Sequence, residues 1–316
     1  MLLTNLPEAI FIHCMSFIGS GNFLFVAGVC RSFRTIYTSF LEQQDPPKSK
    51  TTTMTEIVSS IPRLQLVMNE RRVKVENSSW RDNEVDFITA VLKCVIFNGN
   101  LDVLVWVMTR TVRAWIRRYR HTYLCNVAAK GGQLEVLQWL RSEAGGEFYW
   151  NETTCKIAAE NGHLEVLKWA HQNVCPWNAT TCANAASKGH LEVLKWAHEN
   201  GCKWGATTCS NAAAGGHFEV LQWARQNGCP WNVKTCSMAA KNGHLELLKW
   251  AHQNDCPWNK CVCSYAALNG HLEMLKWAHQ NGCPWDEETL NNAAKNGHLE
   301  VLKWAAPLWT AMVLVF

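Results

Sequence analysis

Cysteine and histidine, two side chains that commonly bind metal ions, recur in this sequence at a fixed interval. The chain has 15 cysteines and 12 histidines in 316 residues. Ten cysteines form two series with a 27-residue period: Cys155, Cys182, Cys209, Cys236, Cys263 and Cys175, Cys202, Cys229, Cys256, Cys283. Six histidines that each follow a glycine share this period: His163, His190, His217, His244, His271 and His298. This regularity raises the question of a metal site.

A zinc site requires four ligands about 2.3 Å from one ion. Equivalent positions in neighbouring helical repeats are about 10 Å apart, one helix-packing distance. The sequence also contains no Cys-x-x-Cys pair. We therefore interpret the cysteines as small buried hydrophobic residues. The fixed place of the Gly-His histidines at the start of a helix indicates a structural hydrogen bond or a helix cap. We predict neither a metal nor another cofactor.

Tryptophans and a second set of histidines also recur in register. The tryptophans are predicted to form a packing ladder rather than a ligand site: Trp169, Trp196, Trp223, Trp250, Trp277 and Trp304. The histidines of the Trp-Ala-His motif lie on the same helix and are expected to face solvent: His171, His198, His252 and His279.

Other patterns that could support chemistry are scarce. The basic run Arg110 to His121 interleaves arginines with Trp115 and Tyr119, so it could contact phosphates and stack on bases. A solvated helix face is the preferred interpretation of this run. Phosphate-binding glycine loops, HExxH motifs and nucleophile elbows are absent from the sequence. We predict that the protein is not an enzyme.

Composition indicates an ordered chain, and the N-terminal sequence indicates a protein inside the cell. Hydrophobic residues make up 48% of the sequence and charged residues 18%, and the formal net charge is +4. This charge is too small to indicate a nucleic-acid-binding face by itself. No apolar run approaches the roughly 18 residues that a membrane span needs, and the N-terminus lacks a signal-peptide pattern. We expect a cytoplasmic, possibly also nuclear, protein without a membrane partner.

The 27-residue period predicts a repeat array. Weaker copies precede the six Gly-His units near Gly99 and Gly132, and a still weaker one begins at Thr51. About nine units therefore occupy residues 51–316, the last of them irregular. That last unit departs from the pattern after Ala305 and ends in an apolar segment. We expect either that the array is cut short there or that this segment covers the last helix pair.

Each unit contains the signals of two short antiparallel helices. In one copy, Asn178 is a candidate N-cap and Gly189 ends the first helix. The segment LEVLKWAHEN forms a second helix with Leu191, Leu194 and Ala197 on one face, and Gly201 ends it. Neither helix is long enough to be stable alone, so neighbouring units must stack.

The motifs AAxxGHLEVL and WAxxxGCPWN resemble the ankyrin repeat, over roughly residues 51–306. They are most similar to the expanded ankyrin-repeat families of protists and large DNA viruses. Each unit lacks six residues where the ankyrin repeat forms its β-hairpin finger. We therefore predict an all-α fold: an α-solenoid of ankyrin-like helix pairs without β-hairpin fingers.

The resemblance implies a concave surface that binds a protein target. Two kinds of position vary between copies: the residues between Ala-Ala and Gly-His, and the residue after the N-cap. The predicted partner-binding residues there are Glu152, Glu160, Lys188, Lys241, Lys260, Leu268, Glu287 and Lys295. Drift at unconstrained surface positions would give the same pattern.

The N-terminal residues 4–40 have a different pattern, which opens with Leu6, Pro7 and Glu8 and closes with Val29, Cys30, Arg31 and Phe33. This pattern resembles an F-box, and the resemblance implies binding to a Skp-type adaptor. The predicted binding face comprises Leu6, Pro7, Ile10, Val29, Cys30 and Phe33. A GSGNF turn replaces the usual Asp-containing turn of that family. Residues 41–50 are rich in proline and charge and are interpreted as a linker.

Three functions are compatible with these patterns. The preferred one is the substrate receptor of an SCF-type ubiquitin ligase, with the repeats holding the target. The second is an interaction scaffold with a decayed F-box and no ubiquitin role. The third is a nucleic-acid binder that uses the basic run, which we consider the least favoured partner class.

Overall fold

The computed structural model describes residues 91–108, 122–142 and 148–313. These ranges are entirely helical apart from turns and contain no β-strand. None of their helices is long and apolar enough to cross a lipid bilayer. The F-box-like segment 4–40, the linker 41–50 and the basic run 110–121 lie outside the described residues.

Sixteen helices lie within the described ranges. In chain order they are α1 (residues 91–97), α2 (Leu101–Val107), α3 (Thr122–Gly131), α4 (Leu134–Ser142), α5 (Glu152–Glu160), α6 (Leu164–Gln172), α7 (Ala179–Ser187), α8 (Leu191–Glu199), α9 (Ala206–Gly215), α10 (Phe218–Gln226), α11 (Val233–Lys241), α12 (Leu245–Gln253), α13 (Cys261–Leu268), α14 (Leu272–Gln280), α15 (Glu287–Lys295) and α16 (Leu299–Val313).

The chain forms two compact units, Met1–Tyr149 and Trp150–Phe316. In the first unit, the described helices α1–α4 bury Ile96, Leu104 and Leu137 completely. The second unit consists of six helix pairs, α5/α6 to α15/α16, in which each pair corresponds to one sequence repeat. The predicted all-α solenoid without β-hairpin fingers is confirmed, since residues 152–305 contain no strand.

The helix boundaries follow from the capping residues. The side chain of Asn178 accepts a hydrogen bond from the backbone N–H of Thr180 at 2.9 Å, so it caps α7 as predicted. Gly189 follows α7 with φ of 78°, a left-handed conformation that favours glycine. Gly201 follows α8 with φ of 85° in the same way.

The core is built from small residues of the first helix and larger residues of the second. In α7, Cys182, Ala185 and Ala186 are fully buried. In α8, Leu194 and Ala197 are fully buried, and Val193 is 3% exposed. The sequence pattern placed Leu191 on this face, which is wrong, because Leu191 is only half-buried. Positions 193, 194 and 197 share a face at helical spacing, whereas position 191 lies about a half-turn from Val193.

Small side chains on the first helices let neighbouring repeats approach closely. First helices make extensive contact with the first helices of adjacent repeats, whereas second helices approach one another much less. A nine-residue helix is marginal in water on its own. The stability of each pair therefore depends on the alanine-rich contact with its neighbours.

The Gly-His histidines join consecutive repeats. The Nε2 atom of His217 lies 3.1 Å from the backbone carbonyl oxygen of Ser187, which belongs to the preceding first helix. Four more histidines make the equivalent bond at 3.0 to 3.3 Å: His190, His244, His271 and His298. Since a carbonyl can only accept, Nε2 is the donor in each case. The predicted structural hydrogen bond is confirmed.

The alternative role of these histidines as helix caps is wrong. The side chain of His217 makes no capping bond to α10, although it occupies the residue before that helix. The imidazole instead packs over Gly189 of the preceding repeat, where a Cβ would lie 2.6 Å from the Nδ1 atom of His217. Glycine is therefore needed at this position both for its backbone conformation and for the space it leaves.

Glutamine performs the same task in the first unit. Gln133 occupies the histidine position of its copy, and its Nε2 atom donates to the carbonyl oxygen of Phe97 at 3.0 Å. Its side-chain amide also lies over Gly99, as His217 lies over Gly189. The weaker copy that begins at Gly132 is thus joined to the preceding repeat by the same type of hydrogen bond.

Alanine at the glycine beneath a histidine should destabilise the protein more than alanine at a glycine in open space. At Gly216, φ is 71° and a Cβ would lie 2.5 Å from Cε1 of His244. At Gly228, φ is 82° and no atom lies within 4 Å of that Cβ position. We expect a loss of about 1–2 kcal/mol for Gly228→Ala from backbone strain. Gly216→Ala should lose about 1 kcal/mol more, because His244 is displaced from its acceptor. Urea unfolding measures both, and equal losses would contradict this role of the histidine.

Glutamine should replace a joining histidine with little loss of stability. His217→Gln retains an amide donor of the kind that Gln133 provides, whereas His217→Leu leaves the Ser187 carbonyl without this donor. We expect His217→Leu to lower the free energy of unfolding by about 1–3 kcal/mol, and His217→Gln by clearly less. Thermal and urea unfolding of both variants checks this. If glutamine and leucine are equally damaging, the hydrogen bond is not the stabilising feature.

Candidate protein-binding surface

The repeated cysteines are buried inside the repeats, where their thiols donate hydrogen bonds to backbone carbonyl oxygens. In one repeat the thiol of Cys182 donates to the carbonyl oxygen of Cys202 at 3.9 Å, and the thiol of Cys202 donates to that of Asn178 at 3.4 Å. All ten cysteines of the two series are buried, which confirms that they act as small hydrophobic residues. Among the described residues, no group of three or more histidines, cysteines or carboxylates is placed to hold a metal ion.

The electrostatics of these thiols favour a structural role. The pKa of Cys182 is raised by its hydrogen bond with the Cys202 thiol and by burial, while the pKa of Cys202 is lowered by the same hydrogen bond. In the first unit, burial raises the pKa of Cys125 to about 12. The Cys182 and Cys125 thiols therefore stay protonated at neutral pH, and neither has the character of a nucleophile.

The second helices present a surface whose aromatic and charged groups are already paired. The ring of His198 stacks on Trp204 with a centroid distance of 3.7 Å, and Trp204 meets Trp223 edge-on at 5.6 Å. The predicted tryptophans thus pack against other aromatic rings, but their ring partners are the tryptophans of the preceding turns rather than one another. The Trp-Ala-His histidines were expected to face solvent, but they are half-buried, because the indole of the following turn stacks on the imidazole. Lys195 forms an ion pair with Glu192 at 2.8 Å on the same surface.

The first helices present a different surface, which we call the first-helix stripe. In α11 it comprises Lys234, Met238 and Lys241, and in α13 it comprises Cys261, Tyr265 and Leu268, with equivalent positions in the other first helices. The spacing of four and then three residues places each set on one helix face. All six side chains are half-buried or exposed.

Most of the predicted partner-binding residues map to this region. The stripe includes Glu160, Lys241, Leu268 and Lys295, and Lys188 lies one residue beyond the equivalent position of α7. The remaining three occupy the N-terminal ends of the first helices: Glu152, Lys260 and Glu287.

Lys260 has a structural partner in the next repeat. Its Nζ atom lies 2.7 Å from a carboxylate oxygen of Asp286, and this carboxylate raises the pKa of Lys260. Asp286 occupies an N-cap position that is asparagine in several other repeats, but its side chain makes no capping bond to α15. Lys260 is therefore already engaged in an ion pair with the next repeat, and its predicted role in partner binding stays a prediction.

Sequence reasoning missed the central position of the stripe. It is half-buried in all six repeats of the second unit and carries different residues in different copies: Ile157, Asn184, Asn211, Met238, Tyr265 and Asn292. Its variation between copies was visible in the sequence. This position was overlooked because it lies one helical turn before the two variable residues that precede Gly-His. The surrounding first-helix motif is otherwise nearly constant.

Stripe side chains reach from one repeat to the next. The amide of Asn211 donates to the carbonyl oxygen of Ala183 at 3.1 Å, and that of Asn292 donates to the hydroxyl of Ser264 at 2.8 Å. The Nζ atom of Lys241 lies 5.9 Å from the ring centroid of Tyr265. The stripe is therefore a continuous surface across the repeats of the second unit.

A comparison with protein families matches this part of the chain. The model described as "Ankyrin repeats (many copies)" matches residues 155–198, 182–225, 236–279 and 263–306. The matched residues, 155–225 and 236–306 taken together, are similar to ankyrin repeats. In these repeats the Gly-His histidine, which lies between the two helices, bonds to the first helix of the preceding repeat, and residues 152–305 contain no β-hairpin finger.

The comparison with solved structures finds a similar helical domain. The crystal structure of the human ASB11 ankyrin repeat domain is 18% identical and has a TM-score of 0.46, covering 57% of this chain and 96% of that chain. A comparison with curated proteins gives no match.

Proposed function

We propose that the protein binds a protein target along the first-helix stripe of its ankyrin repeats. Ankyrin repeats indicate a protein–protein interaction role. The observation that carries the proposal is the contrast within each repeat. The buried cysteines and alanines recur in almost every copy, whereas the half-buried stripe position changes from isoleucine to asparagine, methionine and tyrosine.

The second-helix surface is a weaker candidate for the target. Its tryptophans pack against each other, and its lysines form ion pairs with glutamates of the same helix. A partner there would have to displace interactions that the protein already makes. The stripe has half-exposed apolar groups and lysines without such pairs, so a partner can bind it at lower cost.

We further propose that residues 4–40 bind a Skp-type adaptor, which would make the protein the substrate receptor of an SCF-type ubiquitin ligase. Support comes from the sequence, where Leu6, Pro7 and Glu8 open the segment and Val29, Cys30 and Phe33 close it. The alternative is an interaction scaffold without a ubiquitin role. Either function fits a cytoplasmic or nuclear protein, and neither requires a cofactor.

Photo-crosslinking from the stripe tests the target-binding proposal. A benzoylphenylalanine at Asn184 or Tyr265 should crosslink to a partner protein in cells, because both side chains lie on the stripe. The same probe at Lys203 or Trp223, on the second-helix side, should give far less of that product. Mass spectrometry of the crosslinked species provides the measurement. Equal yields from both sides, or products from the second-helix side alone, would contradict the proposal.

Co-purification with a Skp-type adaptor tests the ubiquitin-ligase role. The full chain should retain the adaptor, and Leu6→Ala combined with Pro7→Ala should reduce retention at least tenfold, because both residues belong to the F-box-like face. Tyr265→Ala should leave adaptor binding unchanged and serves as the control. Failure of the unaltered chain to bind, or indifference to the double substitution, would leave the scaffold as the function.

A further inference from the structure

Lysines on the two surfaces of the second unit differ in their partners. Five second-helix lysines each form an ion pair with the glutamate three residues earlier: Lys168, Lys195, Lys249, Lys276 and Lys303, at 2.7 to 2.8 Å. On the stripe, Lys234, Lys241 and Lys295 have no carboxylate within ion-pairing distance among the described residues, and all three are exposed. The stripe of α11, α13 and α15 therefore carries three exposed lysines without an ion pair and one glutamate, Glu288, at the position equivalent to Lys234.

Two of these lysines flank an apolar centre. Lys241, Leu268 and Lys295 occupy the same position in three consecutive repeats. Tyr265 lies one turn before Leu268 and beneath the ammonium of Lys241, 5.9 Å from it. Leu268 and Tyr265 are both half-buried, so an apolar surface remains between the two charges.

The spacing of this cluster suits an extended peptide. Packed helices are about 10 Å apart, so Lys241 and Lys295, two repeats apart, are separated by about 20 Å. An extended chain rises about 3.3 Å per residue, and this separation therefore corresponds to about six residues.

We propose that the stripe of α11, α13 and α15 binds an acidic peptide segment of the target protein. Carboxylates about six residues apart pair with Lys241 and Lys295, and an apolar side chain between them covers Tyr265 and Leu268. This inference rests on the proposed function and specifies its partner. The other described first helices offer mainly threonine, asparagine, serine and alanine on the stripe, so the acidic segment is specific to the C-terminal repeats.

A nucleic acid fits this surface less well than an acidic peptide. Glu287 and Glu288 are exposed in the first turn of α15, and Glu288 lies on the stripe itself, seven residues before Lys295. A continuous polyanion crossing the repeats would meet these carboxylates, whereas a peptide can place its acidic residues only where the lysines are. Nucleic-acid binding also relies on many phosphate contacts, and the cluster offers few cations.

Selection from a random peptide library on the full chain tests the inference. Wild-type protein should enrich peptides with two acidic residues about six apart and an apolar residue between them. The double variant Lys241→Glu with Lys295→Glu should enrich lysine- and arginine-containing peptides instead. The double variant Lys203→Glu with Lys249→Glu has the same change in net charge on the second-helix side, and it should select the same peptides as wild type.

Affinities of one selected peptide provide the quantitative readout. We expect binding to weaken at least tenfold with Lys241→Glu and Lys295→Glu and to weaken with added salt. The melting temperatures should match wild type, since both lysines are exposed. Tyr265→Ala should weaken binding of the same peptide without changing the preference of the protein for acidic peptides.

The possible outcomes separate this inference from the proposed function. If the enriched peptides lack acidic residues but their binding depends on Tyr265, the inference of an acidic partner is wrong. Target binding by the stripe would still be supported. Failure to enrich any peptide would count against both the acidic partner and target binding by the stripe. Retention of a 20-nucleotide single-stranded DNA that is lost with Lys241→Glu and Lys295→Glu would overturn the acidic peptide in favour of nucleic acid.

Discussion

The hydrogen bond from a histidine or glutamine side chain to a carbonyl of the preceding repeat is the interaction on which the array depends. In the second unit it runs from His217 to Ser187, and in the first unit from Gln133 to Phe97. The bond requires a glycine without a Cβ beneath the donor, and it holds adjacent first helices at a distance that only small side chains fit. The rows of buried alanine and cysteine follow from this closeness.

Local features of the fold could be predicted from the sequence, whereas contacts between distant residues could not. The period, the Asn178 cap and the Gly189 helix end depend on residues close in sequence, and all were correct. The acceptor of His217 lies 30 residues away, so a cap on its own helix was an equally good interpretation. The stacking of His198 on Trp204 joins residues only six apart, and it was missed for a different reason: it depends on how the intervening turn folds back.

The candidate surface was predictable to a similar extent. Comparison between copies found Lys241, Leu268 and Lys295, but variation alone could not show that Tyr265 shares their helix face. Variation also could not show that Lys260 is engaged by Asp286, since that partner lies in the following repeat. A variable position therefore indicates a side chain that core packing does not constrain. Only the structure shows whether that side chain is available to a partner.

One feature of the joining bond explains how the repeats can vary and still stack. The acceptor is a backbone carbonyl, and it belongs to the stripe position itself: Glu160, Ser187, Ala214, Lys241 and Leu268. Every residue type supplies the same carbonyl, so the side chain at that position can be acidic, basic, apolar or absent without loss of the bond. The contact that fixes the stacking of the repeats thus leaves free the side chains that a partner would meet. Substitutions at these positions can change the chemistry of the stripe while the solenoid beneath it stays constant.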